Sequence, residues 1–142
     1  MPSPQRWTVV LTALAGPVGS IGLGVGLARW VDATTGGMAA LAGGVVGLWL
    51  GAPLASFLVF AVCLVTLARP LPLRRWIAVL VMLAAAVVEA IAMLIGLRIV
   101  GGLASPEIGL IAVAILALGL LGAGAALALR VSVRAPAPAA AD

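Results

Sequence analysis

The sequence contains no histidine, no tyrosine and no lysine, and Cys63 is its one cysteine. A disulfide within the chain is therefore excluded, and so are Ser-His and Cys-His catalysis and haem ligation by histidine. Zinc sites combine several cysteine and histidine ligands, which this chain lacks. We expect no enzyme activity, no metal and no cofactor.

Charge is also scarce, with 8% charged against 65% hydrophobic residues among 142. The mean hydropathy of +1.34 is far from that of soluble domains and predicts a lipid bilayer as the surroundings. The net charge of +4 comes from eight arginines, which are scattered rather than gathered on a basic face with stacking aromatics. We therefore predict no nucleic-acid partner. Arginine as the only basic residue, with abundant alanine and glycine, is typical of GC-rich bacterial genes and favours the bacterial cytoplasmic membrane.

A helix needs roughly 20 apolar residues to span a bilayer, and four segments meet this requirement. They predict an all-α, antiparallel up-down bundle of four transmembrane helices in one membrane domain, residues 1–134, with helices at about 7–28, 38–68, 76–97 and 108–129. The first apolar run is too long for the core of a signal peptide, so we expect it to be retained. Residues 135–142, rich in proline and alanine, predict a disordered cytoplasmic tail.

The arginines indicate the orientation, because short cytoplasmic loops are enriched in basic residues. With both termini inside, two arginines lie outside, Arg29 and Arg98, and six lie on the cytoplasmic side: Arg6, Arg69, Arg74, Arg75, Arg130 and Arg134. We predict that both termini are cytoplasmic.

Tryptophan favours the headgroup level, and Trp7, Trp30 and Trp76 fall at the ends of predicted segments. Trp49 lies inside the second segment, which is too long for an upright span. Either this segment is one long tilted helix, or residues 36–46 form an interfacial or re-entrant piece and Trp49 is an anchor at the outer interface.

Small residues recur at four-residue spacing in the first two segments, a pattern that lets helix backbones approach closely in lipid. The first stripe consists of Gly16, Ser20, Gly24 and Ala28, and the second of Gly43, Gly47, Gly51 and Ala55. They predict a tight hairpin of helices one and two. The alternative is that one stripe faces another subunit.

Glu89 is the one ionisable residue deep in a predicted span, a position that costs free energy and often marks function. Its helical neighbours Ala85, Ala86, Ala92 and Met93 are smaller or more flexible than those opposite, so we expect it to face the bundle. Two interpretations are open. Glu89 is a neutral acid, hydrogen-bonded to a backbone carbonyl that a helix proline leaves without its donor or to a hydroxyl (Thr12, Ser20, Ser56 or Thr66). Alternatively, it is a carboxylate that binds a proton or a cation.

Two stretches resemble a known family. Residues 22–52, GLGVGLARWVDATTGGMAALAGGVVGLWLGA, join two glycine-rich helices through a turn, and residues 88–94, VEAIAML, place a glutamate in the third helix. This layout resembles the ATP synthase protein I family of small four-helix membrane proteins. The resemblance implies a role in assembling the ATP synthase rotor ring. Members often carry a lysine three residues after the glutamate, where this chain has Ala92.

Two functions compete. The first is an accessory or assembly factor that holds other membrane subunits. The second is a small proton-coupled transporter or channel that works as a homo-oligomer through Glu89. Small multidrug transporters are similar in size and helix count, but their glutamate lies in the first helix and their aromatic pocket has no counterpart here.

Overall fold

The computed structural model describes residues 3–67, 74–100 and 106–133, and nearly all of them are helical. Four helices follow one another: α1 (Ser3–Thr34), α2 (Met38–Thr66), α3 (Arg75–Val100) and α4 (Pro106–Ser132). Each contains a stretch long and apolar enough to cross a membrane. The prediction of an all-α protein with four long apolar helices is therefore confirmed.

The first helix extends well beyond the predicted residues 7–28. It has 32 residues, which corresponds to a length of about 48 Å. Arg29 and Asp32, expected in a loop, lie on its last turns and are exposed. Our prediction ended the helix where the apolar run stops, but residues 29–34 contain no glycine or proline to break it, so the helix continues to Thr34.

A three-residue turn joins α1 to α2. The amides of Thr35 and Gly36 both donate to the Val31 carbonyl, at 2.7 and 3.1 Å. Gly36 and Gly37 then adopt positive φ angles of 71° and 63°, which other residues rarely tolerate. This pair of glycines reverses the chain and brings α2 back along α1.

The second helix is continuous from Met38 to Thr66 and passes through Pro53. Residues 38–46 therefore belong to the same helix as the rest of the segment, as the first of the two alternatives requires, while the tilt of this helix in a bilayer stays a prediction. A proline inside a helix leaves the carbonyl four residues earlier without its usual donor. In α2 that carbonyl belongs to Trp49.

The last two helices are each longer than predicted by a few residues. We expected residues 76–97 and 108–129, and the helices run over Arg75–Val100 and Pro106–Ser132. Such differences are usual where polar residues flank an apolar run, because the hydrogen bonds of the helix continue beyond the last apolar residue. The predicted tail, residues 135–142, lies outside the described residues.

Successive helices are antiparallel and pack side by side around a common core. In cross-section, α1 contacts α2 and α4, and α3 contacts the same two helices on the side of the bundle opposite α1. The pairing of α1 with α2 is the most extensive. Several fully buried side chains fill the centre: Ala52, Phe60, Met82, Leu121 and Leu129.

Candidate functional site: Glu89 and the helix interfaces

Glu89 lies near the middle of α3 and is completely buried. Ala86 and Met93, on the same face of the helix, are buried as well, whereas Val87 and Ile91 are about half exposed. The face that carries Glu89 therefore turns toward the other helices, as the sequence predicts. Small neighbours on this face allow the packed helices to enclose the carboxyl group.

Neither carboxyl oxygen of Glu89 has a hydrogen-bond partner within the described residues. A buried polar group left without a partner costs about 1–3 kcal/mol, and more when it is charged. Most buried side-chain polar atoms in folded proteins are satisfied. Glu89 is therefore an exception that stability alone does not explain.

The hydroxyl groups proposed as partners bond elsewhere. Ser20 donates to the Leu48 carbonyl, Ser56 donates to the Thr12 carbonyl, and Thr66 donates within its own helix, each at 2.8 Å. The Thr12 hydroxyl is buried and has no hydrogen-bond partner in the part of the chain that the structure describes. Among the described residues, neither a hydroxyl nor a carbonyl oxygen bonds to Glu89, so the first of its two interpretations, a neutral acid bonded to such a group, has no support in this packing. Ser20 and Ser56 bond instead to backbone carbonyls across the α1–α2 interface.

Trp49 forms a link between α2 and α3 next to Glu89. Its indole N–H donates to the carbonyl of Ala90, the residue after Glu89, at 2.8 Å. Trp49 is partly buried, unlike Trp7, Trp30 and Trp76, which are 60%, 65% and 66% exposed near helix ends. The position of Trp49 relative to a bilayer interface stays a prediction, but its role within the bundle is clear. It is an interhelical hydrogen-bond donor.

The two small-residue stripes lie against each other within one chain. A Cβ atom added at Gly47 would lie 2.5 Å from the Leu23 carbonyl oxygen and 2.8 Å from the Gly24 Cα. One added at Gly51 would lie 2.6 Å from the Ser20 Cα. Real Cβ atoms essentially never approach backbone so closely. The absence of side chains at these positions allows the backbones of α1 and α2 to touch.

The remaining members of the stripes surround this contact. A Cβ atom at Gly24 would lie 2.7 Å from the Leu48 side chain, one at Gly43 would lie 3.0 Å from Val31, and one at Gly16 would lie 3.0 Å from Leu121 of α4. The hydroxyl bonds of Ser20 and Ser56 cross the same interface in opposite directions. Close backbone contact and these hydrogen bonds together hold the hairpin.

Sequence reasoning missed two close contacts. Gly19 lies against Ala55 and the Gly51 carbonyl, and Gly124 of α4 lies against Ala85 of α3. Gly19 stands three residues after Gly16, so a search at four-residue spacing passes over it. Including three-residue spacing, which also places residues on one helix face, would have found it.

Two glycines of α1 point away from the bundle. Gly22 and Gly26 are exposed, and an added Cβ atom meets nothing within 4 Å at either position. Gly119 of α4 is open in the same way. These positions contribute nothing to packing within the described part of the chain.

A shallow groove of about 400 Å³ lies at the turn end of the α1–α2 hairpin, away from Glu89. Its lining includes the exposed pair Arg29 and Asp32 and otherwise consists of small and aliphatic residues. Across the described residues, no three Asp, Glu or Cys side chains come together as a metal site would require.

Fold and composition define a class, that of proteins with four helices long and apolar enough for a multi-pass membrane protein. Comparisons with protein-family models, with curated proteins and with solved structures find no match.

Proposed function

We propose that this chain is a multi-pass protein of a bacterial cytoplasmic membrane, with both termini in the cytoplasm. The apolar character of its surface supports this proposal, since Met38, Leu41 and Val18 are 83%, 68% and 71% exposed. In water such surface would drive aggregation, whereas in a bilayer it contacts lipid. The asymmetric distribution of arginines supports the orientation.

Reporter fusions test the orientation. A reporter that is active only in the periplasm should be silent when fused after Asp142 and active when inserted at the turn between α1 and α2, after Thr35. The opposite pattern would show that the chain is inverted. Activity at neither position, with a chain that is extracted without detergent, would contradict membrane insertion itself.

Within the membrane, we infer that the protein is an accessory or assembly factor for a larger membrane complex. The use of its few polar side chains carries this proposal: Ser20, Trp49 and Ser56 each bond to a backbone carbonyl of a neighbouring helix. These hydrogen bonds hold the helices of the bundle together, as expected of a structural scaffold. The resemblance to the ATP synthase protein I family makes the rotor of that enzyme the first complex to examine.

Purification in a mild detergent tests the accessory role. The tagged protein should bring down rotor-ring subunits of the ATP synthase, identified by mass spectrometry. A Gly22→Leu, Gly26→Leu double variant should lose the partner without loss of stability, because an added Cβ atom at either position meets no atom of the described residues within 4 Å. Gly119→Leu is the matched control on another exposed face. Recovery of the parent without any membrane partner would contradict the proposal.

Glu89 favours a second candidate function, that of a proton- or cation-coupled transporter built from several copies of the chain. The supporting observation is a fully buried carboxyl group whose oxygens have no partner among the described residues. Membrane-embedded carboxyl groups without partners commonly carry protons or ions. Such a site needs a pathway that opens to it during a cycle.

Proteoliposomes containing a pH-sensitive dye separate the two functions. Proton flux in the parent and none in Glu89→Gln would support transport. Glutamine has nearly the shape of glutamic acid, but its amide does not bind and release a proton as a carboxyl group does. Absence of flux in both proteins, together with recovery of a membrane complex, would support the accessory role.

A further inference from the structure

Four exposed arginines lie at one end of the bundle. Because neighbouring helices are antiparallel, the first residues of α1 and α3 lie at the same end as the last residues of α2 and α4. Arg6 on α1, Arg74 and Arg75 at the start of α3, and Arg130 on the last turn of α4 are all exposed. Three adjacent helices thus present four guanidinium groups.

The register of the helices brings these arginines to one level. Gly16 lies opposite Leu121, and Gly122 lies opposite Ala13, so the same register places Arg6 opposite Arg130. On the other side of α4, the Arg74 amide donates to the Ser132 carbonyl at 2.8 Å. The end of α4 is therefore flanked by Arg6 on one side and by Arg74 and Arg75 on the other.

Among the described residues of this end, 3–8, 64–67, 74–78 and 128–133, no aspartate or glutamate occurs. At the other end, exposed Asp32 accompanies Arg29 and Arg98. Positive charges gathered at one end of the bundle repel one another, and a bound anion reduces this repulsion.

Apolar surface adjoins the arginines. Trp7 and Trp76, each next to an arginine in the sequence, are 60% and 66% exposed. Leu80, Leu127 and Val131 are about half exposed on the helix faces that lead away from this end. A ligand that matches this surface carries an anionic head and apolar chains.

We propose that Arg6, Arg74, Arg75 and Arg130 bind the phosphate groups of anionic phospholipids at this end of the bundle. Guanidinium groups bind phosphate oxygens through paired, charge-assisted hydrogen bonds. Basic clusters between membrane helices at the cytoplasmic surface recognise anionic headgroups in this way. The inference rests on the proposed membrane insertion and is independent of the accessory role.

Native mass spectrometry of the detergent-purified protein tests the proposal. The protein is titrated with phosphatidylglycerol and, separately, with phosphatidylcholine of the same acyl chains. Each arginine near an anionic membrane surface contributes about fivefold in affinity. The triple variant Arg74→Gln, Arg75→Gln, Arg130→Gln should therefore bind phosphatidylglycerol on the order of 100-fold more weakly than the parent. The matched control, Arg29→Gln with Arg98→Gln at the other end, should keep the parent affinity.

Three results would overturn the assignment. The first is equal affinity of the parent for both lipids, and the second is an equal loss in the control variant, which would indicate a general charge effect. The third is displacement of the lipid by inorganic phosphate at the same concentration, which would indicate a site for free phosphate. If the triple variant does not fold, Arg75→Gln and Arg130→Gln separately should each lose about fivefold. A chain that purifies without detergent would contradict membrane insertion instead, so the two failures are distinct.

Discussion

Replacing Gly51 by alanine adds one methyl group where the backbones of α1 and α2 touch. The new Cβ atom would lie 2.6 Å from the Ser20 Cα, about 1 Å closer than carbon atoms pack. No rotation relieves this overlap, because a Cβ position is fixed by the backbone and its neighbour is backbone as well. The helices must therefore separate locally.

Separating α1 from α2 lowers the free energy of unfolding, because it disturbs the packing and the hydrogen bonds of their interface. Overpacking in a well-packed interior costs about 1–3 kcal/mol. The hydrogen bonds from Ser20 to the Leu48 carbonyl and from Ser56 to the Thr12 carbonyl, both 2.8 Å, span the same interface and are worth roughly 0.6 kcal/mol each in a membrane protein. We expect Gly51→Ala to lower the free energy of unfolding by about 2–4 kcal/mol.

Titration with a denaturing detergent, followed by tryptophan fluorescence, measures this free energy. Gly22→Ala is the matched control, since its added Cβ atom meets nothing within 4 Å and alanine favours helix over glycine. The control should match the parent or exceed it slightly. If Gly51→Ala and Gly22→Ala unfold alike, within about 0.5 kcal/mol, the close approach of α1 and α2 is refuted.

Three further substitutions test other parts of the bundle in the same assay. Trp49→Phe keeps an aromatic ring, although a smaller one, and removes the N–H that donates to the Ala90 carbonyl; we expect a loss of about 0.5–1.5 kcal/mol or somewhat more, and an unchanged free energy of unfolding would show that the bond contributes nothing. Glu89→Met removes an unsatisfied buried carboxyl group and should raise stability by about 1–3 kcal/mol, whereas a large loss would mean that Glu89 has a partner. Gly124→Ala should destabilise the α3–α4 contact by about 1–3 kcal/mol while Gly119→Ala, which is open, should not; equal effects would contradict the packing of α4.

Hydrophobicity determined the number of helices, because a segment of about 20 apolar residues has few alternatives to a helix that satisfies its own backbone. The same signal failed at helix ends, as at Thr34, where hydrogen bonding continues beyond the apolar run. Helical periodicity also placed Glu89 on the inner face of α3, since residues three and four apart share a face whatever the partner.

The partners of those faces required the tertiary structure. The sequence could not say whether the glycines of α1 and α2 meet each other or a second subunit, because both arrangements use the same small residues. Nor could it show that the serines bond to carbonyls and leave Glu89 without a hydrogen bond among the described residues. Such choices depend on distances between helices remote in the chain, and only the packed bundle sets those distances.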